Sequence, residues 1–254
     1  MNYDIDLDDD GDTTNDWQIF YKEDNPTSPN YGATYIIPDY YVPYSKMTTS
    51  ISNAGMIKYS SGTYRVYWST VPSYKTITDD VKAIFMYNYT GTSNNNVKAV
   101  SRLLDTSAWQ SNFVTDKLQA KGGLAIGGPT INMWVASWNK AYPTETLTAT
   151  ISGTGYQINS SNTLDLSSYT GYTTAPNVYF PTKSADSDGT VAYWLASPSS
   201  NGSAFLMLVY YNGSVDRNNY SNSRLGVRPL VYLPSSVKLE QSTTEGLWNI
   251  NYGE

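Results

Sequence analysis

The sequence contains no cysteine and no histidine. Without cysteine there is no disulfide, and the redox compartment of the protein cannot be read from its thiols. Zinc sites built from Cys and His are excluded, and so are the Ser-His-Asp and Cys-His nucleophilic arrangements. Carboxylate pairs and lysine bases remain available, but no spacing singles one out. The two absences therefore remove most of the common catalytic chemistries.

Long apolar runs and clusters of positive charge are also missing. No stretch approaches the roughly 20 consecutive apolar residues that a membrane-spanning helix needs, so no membrane span is predicted. Lys and Arg form no stripe and the net charge is −6, which argues against a nucleic-acid partner. Residues 1–4 lack the charged and apolar segments of a signal peptide. The polar composition nevertheless predicts an extracellular or cell-surface location, a phage virion included, with any export or anchor segment absent from this sequence.

Tyrosine is unusually abundant, with 24 Tyr beside 5 Phe among 254 residues. Its apolar ring and polar hydroxyl suit half-exposed aromatic surface, although tyrosine is also favoured inside strands. A hydrophobic content of 40% and a charged content of 15% indicate a folded globular chain. Because no repeat or linker interrupts the sequence, we predict a single domain over residues 1–254.

The segment 199–224 combines tyrosine with small polar residues and lies between two apolar strand patterns, 193–198 and 226–233. Tyr supplies stiff contact area, while Ser, Asn and Gly supply adaptable hydrogen bonds, as in antibody paratopes. Such uncharged polar groups point to a protein or a surface glycan as the ligand. We predict ligand contacts from Ser199, Asn201, Ser203, Phe205, Leu206, Leu208, Tyr210, Tyr211, Asp216, Arg217, Asn219, Tyr220, Asn222 and Arg224.

Within this window, the pair Asn212-Gly213 predicts a hairpin between two strands. Strand alternation places Phe205, Met207 and Val209 on one face and Leu206, Leu208 and Tyr210 on the other. Burial of both faces is the favoured interpretation, because large apolar side chains usually lie inside. The alternative is that one face is exposed for a ligand. Trp194 is predicted to be core, and Arg228 is predicted to satisfy buried carbonyls or a carboxylate.

An acidic run near the N-terminus matches the opening of a calcium loop. Asp6, Asp8, Asp10 and Gly11 follow the pattern D-x-D-x-D-G, whose alternate carboxylates converge on one ion. Trp17 replaces the bidentate Glu of loop position twelve, so Asp12 or Asp16 would have to complete the site. The predicted calcium ligands are therefore Asp6, Asp8, Asp10 and Asp12. The alternative is a solvated acidic turn with no cofactor.

Hydrophobic periodicity predicts two helices among several strands, which gives an α+β fold with mixed antiparallel sheets and long irregular loops. The helices are expected over 96–114 and from Ile131 to Pro143, the second capped by Thr130. Strands are expected over 17–22, 34–37, 63–68, 146–151 and from 191 onward. The segment 160–190 is expected to be a long loop without obvious elements, and its length marks it as either functional or wrapped over the domain.

This order of elements resembles the C-type-lectin-like fold in its bacterial form, which is related to formylglycine-generating-enzyme domains. More narrowly, it resembles the variable proteins of diversity-generating retroelements. The resemblance is carried by Tyr193-Trp194-Leu195-Ala196-Ser197-Pro198, by Val209 with Gly213-Ser214-Val215, by 226–233 and, less specifically, by 126–130. In that family the adenines of a C-terminal DNA segment are mutated, which would leave the Asn, Tyr and Ser enrichment of 199–224.

The chain also departs from the related families in ways that limit what the resemblance implies. Catalytic formylglycine-generating enzymes depend on cysteine, which is absent here. Sugar-binding C-type lectins hold calcium with E-P-N or Q-P-D and a W-N-D strand, and the segments 175–177 and 138–140 match these poorly. Calcium-dependent sugar binding and formylglycine chemistry are therefore not predicted.

Three functions follow from these observations. The first is a non-catalytic receptor-recognition protein displayed on a cell or phage surface, with a diversified C-terminal binding face. The second is a pilin-like or adhesive structural surface protein without a diversified site. The third is an enzyme that uses carboxylates such as Asp186 and Asp188, but no convergent residues support it, so we predict a protein that is not an enzyme.

Overall fold

The computed structural model of the chain describes most of its residues outside the segment 40–114. The described residues are 4–7, 11, 17–24, 26–27, 31–39, 56–58, 63–66, 85–89, 97–101, 115–126, 129–153, 155–174, 178–180, 192–202, 205–219, 228 and 230–253. For 56–58, 63–66, 85–89, 97–101, 124–126, Ala196, Pro198 and Asn219 the description covers the backbone alone.

The described residues form short strands and three helices. The first strands are β1 Asp4–Asp6, β2 Trp17–Lys22, β3 Thr34–Pro38, β4 Met56–Lys58, β5 Thr63–Val66, β6 Phe85–Tyr89, β7 Val97–Ser101 and β8 Leu124–Ile126. The later strands are β9 Ala149–Ser152, β10 Gly155–Ile158, β11 Leu164–Asp165, β12 Ala192–Pro198, β13 Phe205–Tyr210, β14 Ser214–Asn219, β15 Leu230–Leu233, β16 Lys238–Gln241 and β17 Leu247–Asn251. The helices are α1 Asp116–Ala120, α2 Ile131–Ala141 and α3 Thr170–Thr173.

One large sheet joins the two ends of the chain. Its strand order is β16-β17-β1-β2-β3-β15-β8, and every neighbouring pair is antiparallel except β1 with β17. The late strand β15 lies between β3 and β8, with Val231 opposite both Ile36 and Ala125. The strands between residues 230 and 251 are thus built into the same sheet as the beginning of the chain.

The hairpin predicted at Asn212-Gly213 belongs to a second antiparallel sheet, of order β11-β14-β13-β12. Tyr193 lies opposite Val209, and Val209 lies opposite Val215, across the three longer strands. A separate antiparallel sheet contains β4 to β7 in order, and its strands β6 and β7 lie beside β12. Strands β9 and β10 form a two-stranded ribbon.

Helix α2 fills the space between the first two sheets. Thr130 caps it by accepting from the Met133 N–H, and the Ser197 hydroxyl of β12 accepts from the Ile131 N–H at 2.8 Å. Trp134 and Trp138 on its inner face are fully buried, and their rings stack with centroids 5.4 Å apart. Each such aromatic side chain buries on the order of 150–250 Å², so these two tryptophans make this helix a major part of the core.

The mixed α+β character predicted from the sequence is confirmed, with strands in several antiparallel sheets and few helices among the described residues. The predicted strand over 17–22 is confirmed, as are the hairpin and the helix that begins after Thr130. Strand β3 extends through Pro38, and the strand predicted over 146–151 begins at Ala149.

Two local predictions are wrong. A helix was predicted over 96–114, but its first part forms strand β7, because Val residues suit a pleated strand. Residues 102–114 lie outside the described part. The segment 160–190 contains β11 and the single-turn helix α3 in its described part, although it was predicted to have no elements.

In the described part of the chain, none of the helices has the length and apolar character needed to span a membrane.

Candidate functional site

The strand β13 is buried along four successive residues, 206–209. Met207 and Val209 face the α2 core together with Tyr193 of β12. Leu206 and Leu208 lie on the opposite face, where Trp194 is opposite Leu208 in register. The prediction that both faces are buried is therefore confirmed, and so is the prediction that Trp194 is core.

This burial corrects the placement of three predicted contact residues. Ser199, Leu206 and Leu208 were expected at a ligand-contacting surface, but all three are buried. Leu206 and Leu208 are covered because the second face of β13 is packed as well as the first. Ser199 is covered because it bridges to Tyr156 of β10 and directs its hydroxyl to Asn162 at 3.2 Å. None of the three reaches the surface in this arrangement.

The strand β14 has a different character, since polar side chains follow it at half-exposed positions. Val215 is buried against the core, whereas Ser214, Asp216, Arg217 and Asn218 are half-buried. Five register pairs, from Val209↔Val215 to Phe205↔Asn219, join β14 to the buried strand β13. The polar side chains of β14 are therefore held on a rigid support.

Asp216 and Arg217 form an ion pair on this strand. One oxygen, Asp216 Oδ1, accepts from the Arg217 backbone N–H at 2.7 Å and from Arg217 Nη1 at 3.0 Å. With side-chain exposures of 31% and 28%, the pair contributes at most about 1 kcal/mol. The Arg217 Nε atom is buried and has no hydrogen-bond partner in the described region. The guanidinium is thus held in place with part of its donor capacity unused.

One end of the hairpin carries a polar turn at 199–202. Asn162 Oδ1 accepts from the Ser200 hydroxyl at 2.7 Å as well as from Ser199. Asn201 is exposed beyond this contact, and Phe205 is half-buried at the start of β13. Asn162 was not predicted as part of the site, because only the fold brings the residue that precedes β11 to the turn that follows β12.

The other end of the hairpin is the turn 211–213, which we call the hairpin tip. Tyr211 and Asn212 are exposed there, and Tyr210 is half-buried. The Tyr172 hydroxyl donates to the Tyr211 carbonyl at 3.3 Å. Gly213 has φ +92°, and a Cβ at this position would lie 2.9 Å from the Tyr172 ring. Tyr172 therefore supports the hairpin tip, and only the length of the 160–190 segment hinted at such a role.

The exposed predicted residues lie at two separate ends, because the six residues of β13 span about 17 Å at roughly 3.4 Å per step. Asn201 and Phe205 are at one end, and Tyr210 and Tyr211 are at the other. Asp216 and Arg217 lie on β14 between them. Asn219 is at the register position of Phe205. Ser203, Tyr220, Asn222 and Arg224 lie outside the described residues.

Two carboxylates near the hairpin tip hold backbone amides. Glu145 accepts from the Gly171 and Thr170 N–H groups at the start of α3, at 2.9 and 2.7 Å. The bond from Gly171 is the main cause that lowers the pKa of Glu145. Asp165 accepts from the Ser167 N–H at 2.8 Å, which lowers the pKa of Asp165. Both groups stay ionised at neutral pH and serve local structure. Asp186 and Asp188 lie outside the described residues.

The predicted calcium loop is described at its two ends. Asp6 is buried and accepts from the Gly11 N–H at 3.0 Å through Oδ2, and Gly11 has φ +80°. Asp8, Asp10 and Asp12 lie outside the described residues. Within the described residues no group of three or more acidic side chains could hold a metal ion. The calcium site stays a prediction.

Part of the chain is similar to a known protein family. Residues 118–235 match a family model described as a domain of unknown function, DUF6273. The match begins in α1, ends just after β15 and includes α2 and the whole β12–β14 hairpin region. No curated protein matches the chain. No solved structure matches it.

Proposed function

We propose that this chain is a non-catalytic recognition protein that contacts its ligand with the β13–β14 hairpin. The observation that carries the proposal is the contrast between the two strands. Half-exposed Ser214, Asp216, Arg217 and Asn218 follow β14, while residues 206–209 of β13 beside it are buried. A rigid platform that presents adaptable polar groups and tyrosine binds with little loss of entropy.

The finer fold in this proposal is C-type-lectin-like. Two early strands, β2 and β3, are followed by helix α2, then by β12, the hairpin and the segment that contains Arg228. That order supports the resemblance, except that the first of its two predicted helices begins as strand β7. The fully buried Arg228 and Trp194 serve the platform rather than the recognition surface.

The proposal includes display on a cell or phage surface and diversification of 199–224. The described positions of this window that reach the surface are polar or aromatic, so exchange among Asn, Tyr, Ser and Asp would leave the core intact. Comparison of the coding DNA with a nearby template repeat tests this part. Diversification requires that the non-synonymous differences fall at template adenines; differences spread over all four bases would contradict it.

Binding is tested with fluorescently labelled protein on a glycan array and on a panel of intact bacterial cells. We expect Tyr211→Ala with Arg217→Ala to lose at least tenfold in affinity for any target found. Tyr31→Ala is the matched control, because Tyr31 is an exposed tyrosine, 58% against 42% for Tyr211, on the turn before β3. Equal binding by all variants, with unchanged melting temperatures, would leave the pilin-like or adhesive structural role as the better interpretation.

A further inference from the structure

The hairpin tip has a chemistry of its own, distinct from the polar strand β14. Tyr211 exposes 42% of its surface, and Tyr210 and Tyr172 lie beside it. The Tyr172 ring packs edge-on against Phe180, with centroids 5.0 Å apart, and lies so close to Gly213 that a Cβ there would be 2.9 Å from it. Because the ring and the turn hold each other, the aromatic surface at the tip is pre-organised for a ligand.

Two described carboxylates, Asp165 and Glu145, lie near the hairpin tip. Asp165 is exposed and lies opposite Ser214, next to the turn. Glu145 holds the start of the helix that carries Tyr172. Neither carboxylate forms a salt bridge in the described part of the chain, whereas Asp216 and Asp24 are paired with Arg217 and Lys140. The backbone N–H bonds that lower the pKa values of Asp165 and Glu145 keep both charges present at neutral pH.

We propose that the hairpin tip binds a cationic side chain, lysine or arginine, presented by a partner protein. Aromatic faces attract cations, and a nearby carboxylate adds a favourable charge within the Debye length of about 8–10 Å. The same charges repel an acidic partner, which gives the site its specificity. This inference rests on the proposed recognition function and names the chemistry of its partner.

The test is an NMR titration of ¹⁵N-labelled protein with the capped peptide Gly-Arg-Gly-Lys-Gly, and separately with Gly-Glu-Gly-Glu-Gly. We expect the cationic peptide to shift the amide signals of 212–214 and the acidic peptide to leave them unchanged. Raising the salt from 20 to 300 mM should weaken the binding at least threefold, since surface charge is screened.

Four variants separate the contribution of the charge from that of the ring. Asp165→Asn removes the charge but keeps the oxygen that accepts from Ser167, and we expect it to weaken binding at least threefold. Tyr211→Leu should weaken binding similarly, while Tyr211→Phe should not, because it keeps the ring. Tyr31→Leu is the control away from the tip. Equal binding of both peptides, or full binding by Tyr211→Leu, would overturn the inference.

The outcome is distinguishable from failure of the recognition function itself. If the cationic peptide does not bind but the hairpin variants still lose the target on arrays or cells, the recognition proposal stands and the cationic partner is wrong. If the peptide binds at the tip while the hairpin variants keep full target binding, the tip recognises cations but the recognition proposal fails.

Discussion

Arg228 binds the carbonyl of Pro38, a residue 190 positions earlier in the chain, through both Nε and Nη2. Its remaining terminal nitrogen, Nη1, donates to the Val178 carbonyl at 2.7 Å, and its guanidinium lies 5.0 Å from the Tyr193 ring centroid. The side chain is fully buried. One planar group thereby joins the end of β3, the segment before β12 and the β12 strand, as the sequence predicted for a structural arginine.

We expect Arg228→Lys to lower the free energy of unfolding by about 2–5 kcal/mol, because a lysine cannot satisfy both carbonyls and leaves a buried charge under-bonded. Urea unfolding followed by circular dichroism measures the loss. Arg217→Lys is the matched control and should cost less than about 1 kcal/mol, since that ion pair is partly exposed. Similar losses for the two variants would contradict the structural role of Arg228.

The contact between Gly213 and Tyr172 can be separated from backbone strain. Gly213→Ala places a Cβ at φ +92° and 2.9 Å from the ring, whereas Gly246→Ala places one at φ +85° with no heavy atom within 4 Å. We expect Gly246→Ala to cost about 1 kcal/mol from conformation alone, and Gly213→Ala to cost about 1–3 kcal/mol more. Adding Tyr172→Ala should recover part of that difference in a double-mutant cycle. Equal losses of unfolding free energy in the two glycine variants would show that the Tyr172 ring does not restrict a side chain at position 213.

Trp134 and Trp194 are both fully buried but differ in their indole N–H groups. Trp134 Nε1 donates to the Tyr193 hydroxyl at 3.0 Å, while Trp194 Nε1 has no acceptor within the described residues. Replacing either tryptophan by Phe removes a similar volume. The difference between the two losses of unfolding free energy therefore measures the hydrogen bond of Trp134. We expect Trp134→Phe to lose about 1–3 kcal/mol more than Trp194→Phe, measured by urea unfolding followed by circular dichroism. A larger loss at Trp194 would indicate that its N–H has a partner.

Local signals in the sequence predicted those parts of the fold that short segments decide. Asn212-Gly213 is sufficient for a hairpin, and Thr130 before an apolar stripe is sufficient for the start of α2. The apolar run 205–209 indicated that both faces of this strand are buried. Each of these features depends on residues close together in sequence, so they could be recognised without the structure.

Long-range pairings could not be predicted in the same way. Strand β1 pairs in parallel with β17, and β15 inserts between β3 and β8, contacts that no local pattern encodes. Val97 and Val100 have helical spacing, yet their segment pairs with β6 as a strand, which shows tertiary context overriding periodicity. The support of the tip by Tyr172 was missed for the same reason.

The calcium prediction is tested by melting temperature. The hydrogen bond between Asp6 and Gly11 already closes the first half of the loop. A calcium ion that binds only the folded state would stabilise it by about 2.7 kcal/mol at a calcium concentration one hundred times the Kd. We expect millimolar CaCl2 to raise the melting temperature relative to EDTA, and Asp8→Asn with Asp10→Asn to abolish the rise. Asp24→Asn, at an exposed acid outside the loop, should keep it. Identical melting in CaCl2 and EDTA would show that the run is a solvated turn.

The Glu145 carboxylate predicts a pH dependence of stability. Because the Gly171 and Thr170 N–H groups lower its pKa in the folded state, its contribution is fully present above the unfolded pKa of about 4.3 and is lost as the pH falls through the folded value. Glu145→Gln keeps one acceptor oxygen and removes the charge. We therefore expect the variant to be less stable than the wild type at pH 7 and the two to converge below pH 4. Urea unfolding at pH 7, 5 and 3 measures the stability of both proteins. A constant stability difference across that range would contradict a role for the Glu145 charge.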